Sequence, residues 1–217
     1  GYNVIQLAGL TGNYVPVDTE EYGAAIESLT LNGLDGNDLF DITAGSDYNS
    51  ISAVGGNPSG SDVLQINDYG GQADVFSVNP GSTPGNGDVD VNAQNVPYSG
   101  IEHIFLFGSD DYGGDALTVN DDGADNTWDV TAGTVGDRVQ IAGRETIEYS
   151  GWTTVGLVNG GGTDTIRVHP TNLGGFSASF TVTGNGSDVL QLIGEEDSDD
   201  VTSTAASITT NGVEVSF

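Results

Sequence analysis

One short phrase recurs along this chain: an aspartate, any residue, a large apolar residue, a polar residue, a second apolar residue. It reads Asp38-Leu-Phe-Asp-Ile42, Asp62-Val-Leu-Gln-Ile66, Asp74-Val-Phe-Ser-Val78, Asp115-Ala-Leu-Thr-Val119, Asp137-Arg-Val-Gln-Ile141, Asp164-Thr-Ile-Arg-Val168 and Asp188-Val-Leu-Gln-Leu192. An eighth copy is led by asparagine, Asn126-Thr-Trp-Asp-Val130. The residue between the two apolar positions is polar in every copy, so each reads as a strand with one face buried and the other wet. Glycine usually stands one to three residues before the leading acid. A glycine–aspartate–strand unit repeated this often is the mark of an internally repetitive β-protein.

No segment combines the 3.6-residue period, the capping residues and the length of a helix; residues 20–28 come nearest and fall short. The fold class expected is therefore all-β. Successive leading residues lie 24, 12, 41, 11, 11, 27 and 24 positions apart. These values cluster near twelve and its double, which predicts a parallel β-helix, or β-solenoid, of irregular rungs of about 24 residues. Tandem β-sandwich domains also space strands by 8–12 residues and form the alternative. Residues 80–97 break the spacing, with Asp88-Val-Asp-Val91 out of register, and are expected to loop outward. The expected organisation is an N-terminal strand segment (1–22), a repetitive β-solenoid (23–193), and an acidic turn with a C-terminal strand (194–217). A second phrase, small–x–Glu–x–apolar–x–apolar, occurs at Glu27, Glu102 and Glu145 and predicts matching places in successive units, with a capping or turn role.

The charge is lopsided: 32 acids stand against three arginines, Arg138, Arg144 and Arg167, with no lysine, for a formal net charge of −29. Nothing here could neutralise a phosphate backbone, so nucleic acid is excluded as a partner, as is an anionic membrane surface. No apolar run is long enough for a bilayer-spanning helix, and no membrane insertion is expected. So many acids repel one another in a compact fold unless salt or bound cations screen them. With no cysteine, disulfides are impossible. The chain begins at Gly1 without an initiator methionine, which suggests processing or a piece of something longer.

The turn Gly33-Leu-Asp35-Gly36-Asn37-Asp38-Leu39-Phe40 resembles a copy of the hemolysin-type, or RTX, calcium-binding nonapeptide. Gly184-Asn-Gly186-Ser-Asp188-Val-Leu190 and Gly160-Gly-Gly162-Thr-Asp164-Thr-Ile166 fit the same frame, and Gly60-Ser-Asp62-Val-Leu64 fits it more loosely. The resemblance implies calcium held by aspartates and turn carbonyls, with glycines supplying left-handed turns. It departs from that family in spacing, since no two copies are contiguous. The alternation of Gly-Ile-Glu strands with Gly-x-Asp turns also resembles repeat regions of very large secreted or surface proteins of planctomycetes and cyanobacteria. Asn120-Asp121-Asp122-Gly123-Ala-Asp125 adds an oxygen-rich turn, while Asp110-Asp111 and the run from Glu195 to Asp200 are further acidic clusters. The candidate metal ligands are Asp35, Asp38, Asp62, Asp121, Asp122, Asp164 and Asp188, all hard oxygen donors suited to Ca²⁺.

Catalysis has little to stand on. His103 and His169 lack a Ser, Cys or His partner in any recognisable motif, and both are expected to be structural. Trp128 occupies a core position of the phrase, and for Trp152, after Gly151, and Tyr149 core packing is expected over stacking on a sugar. The reading is a non-enzymatic extracellular structural module of a bacterial surface layer, adhesin stalk or self-assembling filament, supported by calcium. Its partners would be copies of itself, joined end to end or by strand exchange through residues 2–17 and 205–217. The alternative is a carbohydrate-active or glycan-binding β-helix domain, for which an exposed row of aromatics flanked by carboxylates would speak.

Overall fold

A computed structural model describes residues 6–7, 28–44, 50–56, 61–68, 70–71, 73–92, 94–109, 114–169, 179–194, 201–203, 207–210 and 213–216. The turns at Asp110 and at 195–200, together with Glu27 and most of both terminal segments, lie outside them.

The described residues form strands and turns with no helix. After β1 (Gln6–Leu7) the chain shuttles between two sheets through β2 (Ser28–Asn32), β3 (Leu39–Thr43), β4 (Ser50–Val54) and β5 (Val63–Asn67). It then stays in one sheet for β6 (Val75–Pro80), β7 (Gly87–Val91) and β8 (Gln94–Ser99), an antiparallel meander. After β9 (His103–Phe107) and β10 (Ala116–Asn120), a second meander of β11 (Thr127–Ala132), β12 (Asp137–Ile141) and β13 (Thr146–Ser150) lies in the other sheet. Shuttling resumes through β14 (Thr154–Val158), β15 (Thr165–Val168), β16 (Ser179–Thr183) and β17 (Val189–Leu192). The described chain closes with β18 (Val201–Ser203), β19 (Ser207–Thr210) and β20 (Val213–Ser216).

The nine-stranded sheet runs β1-β3-β5-β9-β13-β12-β11-β15-β17, and the eleven-stranded sheet runs β18-β19-β20-β16-β14-β10-β6-β7-β8-β4-β2. Both are mixed. Pairing is parallel wherever the chain has left the sheet and returned, and antiparallel inside the meanders and at the termini.

The phrase explains the core. Its strands alternate half-buried and buried residues, and the apolar positions stack in register: Phe40, Leu64, Ile104, Ile147, Val139 and Val130 follow one another across the nine-stranded sheet. All six are fully buried, in one cluster that also takes in Phe76, Val78, Leu117 and Val155 from the other sheet. Each such side chain contributes about 1.5–3 kcal/mol of hydrophobic stabilisation.

One expectation is corrected. Residues 80–97 are no outward loop: Val89 and Val91 of β7 and Val96 and Tyr98 of β8 belong to the core. They fell out of register because their strands run in a hairpin rather than across to the other sheet. Trp152 packs in the core as expected: it is 98% buried, its ring edge-on to Phe76 at 4.7 Å, with its Nε1 donating to Leu106 O at 3.3 Å. Trp128 is buried as expected.

Candidate cation site

The phrase's leading residue stands one position before its strand, where the backbone N–H points toward a neighbouring chain that is still turning. A carboxylate from that neighbour fills the role of the missing carbonyl. Asp38 N–H donates to Asp62 Oδ1 at 2.8 Å, and Asp62 N–H donates to Glu102 Oε2 at 2.8 Å. Asn126 N–H reaches Asp164 Oδ1 at 2.7 Å, and Asp164 N–H reaches Asp188 Oδ1 at 3.0 Å. In the other sheet Asp74 N–H donates to Asp115 Oδ1 at 2.9 Å. Five bonds of one design thus link neighbouring strands in rows of leading residues, each adding about 1.5–3 kcal/mol as a hydrogen bond to a charged group.

Burial is extreme for carboxylates. Asp62 and Asp164 are fully buried, and Asp74 and Asp115 nearly so. Glycine makes room for them: a Cβ on Gly55 would run into both Gly100 O and the Asp62 carboxylate, and one on Gly33 into the carboxylate of Asp38. The glycines one to three residues before the leading acid serve otherwise: Gly36, Gly162 and Gly186 take positive φ in the turn.

Only one oxygen of most of these groups is used. Oδ2 of Asp38, Asp62, Asp74 and Asp164 is buried with no hydrogen-bond partner. Desolvation, then the charge of Asp62, pushes the Asp38 carboxyl up from the usual carboxylate range. Asp74 is pushed up by desolvation and by the Asp68 carboxyl beside it, and Asp164 by desolvation, with the charges of Asp121 and Asp188 adding to it. A proton or a cation would relieve each of them.

The seven candidate ligands divide accordingly. Asp38 and Asp62 are brought together, as are Asp164 and Asp188. Asp121 faces Asp164 closely enough for its charge to be felt, but its carboxylate is occupied by the Gly123 N–H and the Asn126 amide at 3.0 and 2.7 Å. Asp122 is taken by Arg144, whose guanidinium pairs with it while Nη1 donates to Ser82 O at 2.7 Å. Desolvation pushes Asp122 up, yet the Ala124 N–H, the Asn126 amide and Arg144 hold it below the usual range. Asp35 sits exposed in the turn before β3.

Among the described residues no three His, Cys, Asp or Glu side chains converge on a point where they would hold a metal ion. A cation at Asp38–Asp62 or Asp164–Asp188 would complete its shell from amide, carbonyl and water oxygens. Asn159 fits that part: it is buried beside Asp164, with its amide close enough to favour the charged carboxylate.

Glu102, which the second phrase marked for a capping or turn role, takes the aspartate's place ahead of β9 in the row. Its phrase, an acid followed by alternating apolar residues, was the signal. Glu145 stands at the same place ahead of β13 but turns elsewhere, accepting from the Tyr98 hydroxyl and from Gly85 N–H at 3.2 Å. Burial pushes the Glu145 carboxyl and, more strongly, the Tyr98 hydroxyl upward. Of the histidines, His169 lies 3.6 Å from the Asp129 carboxylate, and His103 lies along the half-exposed face of β9.

No family model, no curated protein and no solved structure matches the chain.

Proposed function

We propose that the chain is a non-enzymatic extracellular structural module, a β-solenoid that assembles with copies of itself in a bacterial surface layer, stalk or filament and is stabilised by calcium. The solenoid reading is supported by a chain that shuttles between two sheets and adds parallel strands on each return, interrupted by two meanders. Leading residues 24 positions apart are bonded at two places, and the wider steps of 38 to 41 span the meanders. The calcium reading rests on one observation: carboxylate oxygens without partners recur at the same place in stacked strands. In a chain of net charge −29, neutralising them stabilises the fold.

Calorimetric titration with calcium after chelation, paired with melting curves, tests this. Binding in the range of about 0.1–1 mM with a rise in Tm is the expected result. No heat and no shift would reduce the acids to surface charge and ladder bonding. Light scattering with calcium present tests assembly.

A second reading draws on β9. His103, Phe105 and Phe107 lie half-exposed on one face of that strand, with the first two rings 6.5 Å apart and 23° from parallel. Gln65 and Asn67 are paired directly beside Phe105 and Phe107. Aromatic rings flanked by amides suit the faces and hydroxyls of neutral sugars. Affinity electrophoresis on neutral polysaccharides, with Phe105→Ala as control, decides this reading.

A further inference from the structure

The phrase that builds the described strands occurs a ninth time, at Asn3-Val-Ile-Gln-Leu7. It nearly repeats the phrase that forms β17, Asp188-Val-Leu-Gln-Leu192. Seven of the eight described copies have a parallel neighbour, the exception being β12 inside its meander. The ninth does not: β1 lies antiparallel to β3, joined by two residue pairs, Gln6 with Asp41 and Leu7 with Phe40.

At the opposite end of the same sheet the described residues place no strand beyond β17. β17 is the last strand there, while the other sheet continues past β16 through β20, β19 and β18. Val189 of β17 is 46% exposed, and Leu190 and Leu192 only partly cover the core. A cavity of about 470 Å³ opens between β15, β17 and β16, walled by Ile166, Val182 and Leu190. Among the described residues no bulge, proline or lysine guards this edge, as natural sheet edges usually require. The row of leading residues also stops there: Asn126 and Asp164 each donate to the next leading carboxylate, whereas among the described residues no such acceptor stands beyond Asp188.

We propose that the N-terminal segment of a second copy adds to β17 as a parallel strand, with Asn3 in line with Asp188. This placement rests on the reading of the chain as a self-assembling module. In that register Val4, Ile5, Gln6 and Leu7 pair with Val189, Leu190, Gln191 and Leu192. Ile5 and Leu7 extend the apolar rows over the open cavity, and Asn3 Oδ1 accepts the N–H of Asp188. Charge favours this occupant. Residues 1–17 carry no charged side chain, so the segment brings no further negative charge to an acidic edge, and an asparagine in the leading position avoids a new carboxylate beside Asp188.

The native chain lacks cysteine, which makes cross-linking clean. A Gln6→Cys chain mixed with a Gln191→Cys chain, under mild oxidation with calcium present, should give a disulfide-linked pair whose yield rises with protein concentration. The single chain carrying both substitutions should give a ladder of higher bands. Gln6→Cys with Asp41→Cys traps the strand on its own β3 and should suppress assembly. Concentration-independent closure of Gln6→Cys onto Gln191→Cys within one chain would overturn the proposal, as would scattering that shows assembly while the mixed chains do not cross-link. In both cases the module reading would survive. A native chain that stays monomeric with calcium would remove both.

Discussion

Two buried acids in this molecule have opposite surroundings. Asp122 has a guanidinium against it, two amide donors, and a carboxyl held below its usual range. Asp164 has one N–H, one bare oxygen, and a carboxyl pushed up. Where the fold joins its two meanders, through Ser82 on one side and Asp122 on the other, it uses one of only three cations. Along the rows of leading residues it uses neutral donors, backbone N–H groups with the side-chain amide of Asn92 at Asp74. Those rows are therefore sound as hydrogen bonding and poor as electrostatics, which is the state a diffusible cation would correct.

The comparison can be broken most forcefully at the guanidinium. Arg144→Ala leaves Asp122 buried and unpaired and frees Ser82 O, and should cost about 3–5 kcal/mol in urea unfolding. Adding Asp122→Asn should return a large part of that loss, since the uncompensated charge is gone. Next comes the row itself. Asp62→Ala strips the acceptor from Asp38 N–H inside the protein and should cost about 1–3 kcal/mol. Asp62→Asn keeps the acceptor and removes a buried charge, so without calcium it should be neutral or stabilising. Asp164→Asn should behave alike, and should also reduce the calcium-induced rise in Tm, which Asp122→Asn leaves unchanged.

The smallest effect is on pH. Burial pushes the Asp137 carboxyl up to about 6, so the folded state holds its proton more tightly than the unfolded one. Its favourable contribution is complete below the unfolded value near 4 and is lost as pH rises through about 6. Tm measured without calcium should therefore fall over that window, and Asp137→Asn should flatten the fall. Asp122 and Glu148, held low by their donors against desolvation, act in the opposite sense and lose their contribution only in stronger acid.

The strands were legible because period-2 alternation is local: five consecutive residues suffice to mark Phe40 and Ile42 as core. Which strand pairs with which was not. The bonds that stack the leading residues join positions 24 to 41 apart, and nothing in either phrase names its partner. The meanders were hidden for the same reason, since Val89 and Val91 alternate as well in a hairpin as in a crossover. The candidate ligands were half legible. Asp38, Asp62, Asp164 and Asp188 stood out by their phrase and do meet in pairs. Asp122 looked equally suitable, but the scarcity of cations was the overlooked signal: a buried arginine 22 residues away claims it. Trp152 reaches the core because Gly151, at φ 79°, turns the chain so that the indole points inward.

The meanders have a mechanical consequence. β5, β9 and β13 are neighbours in one sheet, and β6, β10 and β14, to which they lead, are neighbours in the other. Three successive crossings therefore run side by side; in the solenoid proposed above they would be the threads of a three-start screw, with the ends wound as a single thread. A single thread unwinds turn by turn under tension, but a triple one cannot release a turn without loosening its companions. Pulled along its length, this molecule should shed its ends in small steps and then yield its middle, from β5 to β14, in one.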